Sequence, residues 1–189
     1  MSDRNMEVVS GRCTPVLSRA LLGRTLELNL DYVDLILAAP SAGFQVEALP
    51  QKVLDALAAT DAAARRALAS CPYTLFSLAF DDTRFWNAAL EGLPDESHEL
   101  TERYGAVSAS PMHSAFCEVA LFFAWHVAQT HPVAARVLFA MPDAVAARLL
   151  DAPLWRIRRV AIDYPGLLTP RWTRNPVFWP DLIRLASSA

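Results

Sequence analysis

Residues 36–86 and 128–179 of this chain resemble one another at an offset of 92, which becomes 93 after one inserted residue. Pro40 falls on Pro132, Pro50 on Pro142, Leu57 on Leu149 and Arg66 on Arg158. Ala69 falls on Ala161, Pro72 on Pro165, Phe85 on Phe178 and Trp86 on Trp179. Prolines and tryptophans are scarce enough that three prolines and a Phe-Trp pair do not keep step by accident. Such self-similarity points to two similar units packed together, with function expected at their seam.

The local patterns within each unit are helical. Arg19–Ala38 reads as a helix whose apolar surface comes from Leu21, Leu22, Leu26, Leu28, Leu30, Val33, Leu35, Ile36 and Leu37, and Pro40 ends it. A short helix is expected over 49–59. Another runs over Ala62–Ala69 and is opened by Thr60-Asp61, whose side-chain oxygens can accept from free amides of the next turn. Residues 75–80 read as a short extended segment, and a helix restarts at Phe85-Trp86. The second unit repeats the plan. Helices are expected over 116–130, 133–139, 144–150, 154–162 and 178–186, with an extended segment within 165–173.

The expected fold is therefore mainly α: two multi-helix units related by internal duplication and a pseudo-two-fold, each with a short extended segment. The boundaries are 16–90 for the first unit, 91–112 for an acidic, small-residue linker and 113–189 for the second. Residues 1–15 read as a loose lead-in.

Composition narrows the function classes. Apolar residues at 53% and charged residues at 20% describe a folded chain rather than a disordered one. The longest apolar stretch, residues 119–128, is too short for a bilayer, which needs roughly 20 residues. The start of the chain lacks the basic and apolar blocks of a secretory leader, so a cytoplasmic protein is expected. Cys13, Cys71 and Cys117 are odd in number and widely spaced, which suits buried thiols better than disulfides or a zinc knuckle. Charge is unevenly spread. Residues 1–147 carry 10 basic and 17 acidic groups (−7), whereas 148–189 carry 7 basic and 3 acidic groups (+4). A basic C-terminal quarter suggests an acidic partner, either a phosphate backbone or a protein surface.

The sharpest local pattern spans residues 144–162, where two short helices meet at a three-residue break, as in a helix-turn-helix. Ala147 is small where the helices would cross. Leu150 and Ala152 flank the turn, with Asp151 as a candidate cap. Leu154, Ile157, Val160 and Ala161 share one face of the second helix. Arg156 and Arg159 lie off that face, and Arg158 lies at its edge. Guanidinium groups so placed can contact phosphates or guanine edges, while the other reading of the pattern is a helical hairpin that serves packing alone. Asp151 stands where a turn glycine is usual. Trp155 also lies away from the apolar face, which fits a protein contact. Trp172 and Trp179, with Arg171 and Arg174 beside them, supply a second set of Trp-Arg neighbours suited to a binding hot spot or to core packing.

Catalytic patterns are missing. His113, His126 and His131 lack the i, i+4 spacing of helical metal ligands. There is no glycine-rich phosphate loop and no Gly-x-Ser-x-Gly elbow. Cys117 and His126 face opposite sides of one helix. Lys52, the single lysine and thus the one candidate for Schiff-base chemistry, has no supporting pattern around it, and Asp95, Glu96, Glu99 and Glu102 do not form a calcium loop. The expectation is a protein with no enzymatic activity, cofactor or metal.

Leu28-Asn29-Leu30-Asp31-Tyr32 leading into residues 35–38, then Leu57-Ala58-Ala59, Leu68-Ala69 and Phe80-Asp81, resemble the flagellar transcriptional activator FlhD family. Leu149, Leu154, Val160-Ala161 and Arg171-Trp172 fall at similar spacings in the second unit. The likeness covers about two-thirds of the chain. It implies a helical fold that pairs as a dimer and acts with an FlhC partner on DNA, here as a pseudo-dimer within one chain. The family has one unit per chain. The first unit also offers only Arg65 and Arg66 where the second has Arg156, Arg158 and Arg159. The expected function is a regulator that binds duplex DNA, alone or with an FlhC-like or other partner, through Arg156, Arg158 and Arg159, helped by Arg171 and Arg174. The competing expectation is an adaptor in which Trp155, Trp172 and the same arginines bind an acidic protein. A homodimer fits either, no membrane is involved, and an enzyme with an unrecognised site is the weakest alternative.

Overall fold

A computed structural model describes residues 17–38, 49–91, 97–105 and 110–188. The lead-in with Cys13, the helix-ending Pro40, and Asp95 and Glu96 of the acidic stretch lie outside the described residues.

Two long helices organise the molecule: α1, Arg19–Ala38, and α6, Pro111–Thr130. Each buries an apolar stripe, through Leu28, Tyr32, Val33 and Ile36 in α1 and Cys117, Ala120, Leu121, Ala124 and Val127 in α6. α6 begins five residues before the expected start at 116. Ser110 supplies the reason, since its hydroxyl accepts from the His113 amide while Pro111 fills the first helical position.

Shorter helices pack on these two. α2, Gln51–Ala58, and α3, Ala62–Ala69, lie against α1, whereas α7, Pro132–Phe139, α8, Asp143–Asp151, and α9, Leu154–Asp163, lie against α6. Asp61 caps α3 by accepting from the Ala64 amide, while Thr60 donates back to the Leu57 carbonyl. Asp151 does not cap α9. It ends α8, and Pro153 occupies the position before α9 with no side-chain cap. The remaining helices are α4, Thr83–Glu91, α5, Ser97–Tyr104, and α10, Phe178–Ala186. α5 falls within 91–112, where a linker is expected from polarity alone. Its last residue, Tyr104, turns back into the core, and the Tyr104 hydroxyl donates to Asp82 at 2.9 Å.

The element spacing follows the sequence repeat. α6, α8 and α9 begin 92 residues after α1, α2 and α3, and strand β2, Thr169–Pro170, begins 93 residues after β1, Phe76–Ser77. The strands pair antiparallel, with Phe76 opposite Pro170 and Ser77 opposite Thr169. By the repeat spacing, Thr169 is the counterpart of Phe76, and Pro170 of Ser77. Each residue therefore faces the position aligned with its neighbour.

Beyond the strands, the chain crosses over. α4 of the first unit packs on α8 and α9 of the second, while α10 of the second packs on α2 and α3 of the first. Trp86 and Trp179, both buried, lie on these exchanged helices. One hydrophobic cluster accordingly runs through both units. Among the described residues, no helix is long and apolar enough to cross a membrane.

Candidate functional site

The α8–α9 segment has the short break expected of a helix-turn-helix but a different packing. Both helices rest on α6, and their contact with each other is slight. Ala147, expected at a crossing, is exposed; α8 buries Val145, Ala146 and Leu149 instead. Ile157, Val160 and Ala161 face inward as expected, but Leu154 does not and is 48% exposed.

The outward face of α9 combines charge with bulk. Trp155 is 62% exposed and Ile162 is 53% exposed, so with Leu154 this helix presents three large apolar side chains to solvent. The Arg156 guanidinium lies over the Trp155 ring, 4.6 Å from its centroid, a cation–π contact that holds the indole in place. Arg158 donates to Glu118 of α6 at 3.1 Å, and Arg159 pairs with Asp163 one turn along α9. Asp163 raises the pKa of Arg159 further by hydrogen bond and charge. Two of the three arginines expected to meet phosphates are thus matched with carboxylates.

The aligned stretch of the first half of the chain lacks this face. Leu154, Trp155 and Ile162 correspond to Ala62, Ala63 and Ser70 on α3, while Arg158 corresponds to Arg66. The same position in the scaffold is built without bulky apolar groups in the first unit, so packing does not require them in the second. Sequence reasoning found Trp155 but missed Leu154 and Ile162. The signal that could have found them was divergence between matched positions, since inward positions such as Leu57 and Leu149 stay apolar in both units.

Arg171, Arg174 and Trp172 belong to a different region, and none of the α9 arginines lines it. Arg171 follows β2. Its Nη1 donates to the Leu138 carbonyl at 2.9 Å and the Thr74 carbonyl at 3.2 Å, while its guanidinium lies 4.2 Å from the centre of the Trp172 ring. Burial pushes its pKa down, and it ties the end of α7 to the residues before β1. Trp172 is half-buried, packed edge-on to Tyr73 and tilted against Phe178, so it serves the core more than a surface. Arg174 is exposed.

The remaining polar candidates have structural surroundings. His113 is buried with Nε2 2.9 Å from the Pro165 carbonyl, and burial lowers its pKa. Burial pushes the Cys117 thiol up to about 12, so it stays protonated at neutral pH. Among the described residues, no three His, Cys, Asp or Glu side chains converge to hold a metal ion. Comparison with protein-family models, with curated proteins and with solved structures finds no match to this chain.

Proposed function

We propose that this protein is a non-enzymatic regulatory adaptor that docks an acidic partner protein on the outward face of α9. The supporting observation is the set Leu154, Trp155 and Ile162, exposed on a helix whose counterpart carries Ala62, Ala63 and Ser70. Solvent-facing Trp and Leu interleaved with arginine is the composition of a protein-binding hot spot, where an apolar anchor is desolvated and guanidinium groups take hydrogen bonds at the rim. The positive C-terminal quarter of the chain complements an acidic partner.

In this reading the chain is a fused pseudo-dimer of FlhD-like units, one of which has specialised. The repeat spacing and the antiparallel pairing of β1 with β2 favour a common origin for the units. Direct duplex reading by α9 is less favoured. Leu154, Trp155 and Ile162 would set apolar bulk against a phosphate backbone, whereas an apolar-anchored protein surface uses it; with Arg158 and Arg159 already matched by carboxylates, the apolar anchor rather than charge carries the docking.

The test compares the wild type with Trp155→Ala, with Arg156/Arg158/Arg159→Ala and with Arg66→Ala, the matched position in the first unit. Each is assayed for duplex-DNA binding at low and near-physiological salt and for retention of proteins from cell extract. An acidic protein held by the wild type and by Arg66→Ala but released by Trp155→Ala is the expected outcome. Salt-steep duplex binding that disappears in the triple variant would replace the adaptor reading with the DNA-binding one. Equal retention by all variants would remove α9 from the site.

A further inference from the structure

At the seam of the two units lies a groove over the β1–β2 ribbon, with a volume of about 630 Å³. Its size falls in the range of small-molecule sites. Both units and α7 contribute to it, through Ala79 and Phe80 beside β1, Ala140 at the end of α7, and Arg171, Trp172 and Arg174 after β2.

We propose that this groove binds a small anionic ligand, whose phosphate or carboxylate group is held by Arg171 and Arg174. The first support is charge. Arg171 is half-buried, and no carboxylate pairs with it among the described residues. The C-terminal carbonyls of α7 offset part of its charge through Nη1. Its Nε and Nη2 make no hydrogen bond among the described residues. A guanidinium anchored on one side and unsatisfied on the other is ready for planar, two-point recognition of a carboxylate or phosphate. Arg174, three residues on, adds an exposed cation with no ion pair among the described residues.

The second support is backbone geometry. Among the described residues, three non-glycine residues have positive φ: Ala79 at 50°, Ala140 at 52° and Trp172 at 56°. All three line this groove. Left-handed backbone costs about 1–2 kcal/mol per residue for a side chain larger than hydrogen, and such strain gathers at ligand clamps.

Acidic neighbours bound the site without closing it. Asp81 lines the groove and disfavours anions on its own side. Asp82 is matched by Arg103 at 3.0 Å and by the Tyr104 hydroxyl. The half-buried Trp172 gives the body of the ligand an apolar wall, with the buried Phe80 and Phe139 behind the groove floor. This inference is independent of the surface on α9.

The test is calorimetric titration with inorganic phosphate, adenosine 5′-monophosphate and citrate at matched ionic strength. The proteins are the wild type, Arg174→Ala and Arg66→Ala. Arg171→Lys is added where it folds, because it keeps the charge but loses the planar fork. The expected result is saturable binding of at least one probe, weakened at least about tenfold in Arg174→Ala and unchanged in Arg66→Ala. Phosphate probes alone binding would assign a phosphate ligand, and citrate alone a carboxylate. No binding of any probe at roughly 5 mM, well above ordinary metabolite-site affinities, would overturn the proposal. So would equal affinity in Arg174→Ala.

Discussion

Ala79 and Trp172 stand 93 residues apart and bend the backbone in the same left-handed way, with φ of 50° and 56°. The Ala79 carbonyl accepts from the Asp82 amide at 3.0 Å, and the Trp172 carbonyl accepts from the Asn175 amide at 2.9 Å. The side chain closing each turn then accepts from a backbone amide further along, Asp82 from that of Phe85 and Asn175 from that of Val177. The indoles of the exchanged helices fasten to the same segments. Trp86 Nε1 donates to the Ala79 carbonyl, and Trp179 Nε1 donates to that of Arg171. These matched turns send α4 and α10 across to the opposite unit.

Cross-packing of α10 gives an expectation that neither unit alone would suggest. Ile183 is buried on α10, which rests on α2 and α3. Ile183→Ala should cost about 2–4 kcal/mol. Amide exchange in the variant should rise more in α2 and α3, over 100 residues away in sequence, than in α8 and α9. Loosening confined to α8 and α9 would contradict the exchange of helices.

Asn29 is fully buried, and its amide bridges three backbone groups. It donates to the carbonyls of Ala69 and Tyr73 and accepts from the Leu75 amide, at 3.1, 2.9 and 2.9 Å. The matched position in the second unit is Leu121. Asn29→Leu copies that residue but strands three buried polar groups, each costing roughly 1–3 kcal/mol. A loss of at least about 3 kcal/mol in urea titration is expected. A loss below about 1 kcal/mol would mean that water or a shifted backbone satisfies the turn.

Ala140 ends α7 in the left-handed region, φ 52° and ψ 37°, with its side chain exposed. Glycine meets no steric penalty there. Ala140→Gly should therefore raise stability by about 0.5–1 kcal/mol, despite the greater freedom glycine gives the unfolded chain. Chemical denaturation of the two proteins in parallel measures this.

His113 makes stability depend on pH. Burial holds its folded pKa below the usual 6.5, so the neutral ring is favoured in the native state. As pH falls below about 6.5 the unfolded chain takes up the proton first, and stability drops until the folded pKa is reached. The contribution is fully present above pH 6.5 and lost on acidification. His113→Gln keeps a donor for Pro165 without titrating, so its stability should fall less between about pH 6.5 and 5. Parallel pH profiles for the two proteins would refute the assignment.

Much of the fold was legible because its signals are local. Arg19–Ala38, Ala62–Ala69 and Phe178–Ala186 have the bounds that apolar periodicity and capping predict. The extended segments expected over 75–80 and 165–173 contain β1 and β2. α5 was not legible, because its sequence is mostly polar, and what holds its end, the buried Tyr104 and the Arg103–Asp82 pair, depends on a partner distant in sequence. The exposure of Leu154 was misread because an apolar residue at helical spacing looks inward until the partner helices are known. Arg171, Arg174 and Trp172 stood out in the sequence as Trp-Arg neighbours, but the groove that gathers them did not. It depends on three left-handed residues that are not glycine, and nothing in an alanine or a tryptophan announces that conformation.

The outward face of α9 can be examined in cells by placing a photo-crosslinking amino acid at position 155 and, separately, at the matched position 63. Trp155 is 62% exposed and is not part of the hydrophobic core among the described residues, so its replacement should leave the melting temperature within about 2 °C of the wild type, as expected for a surface change below roughly 0.5 kcal/mol. The expected result is one protein adduct of defined mass from position 155, none from position 63, and loss of the adduct when Leu154 and Ile162 are changed to serine. Adducts to DNA from position 155, or the same protein adducts from both positions, would contradict a docking surface for an acidic protein partner on α9.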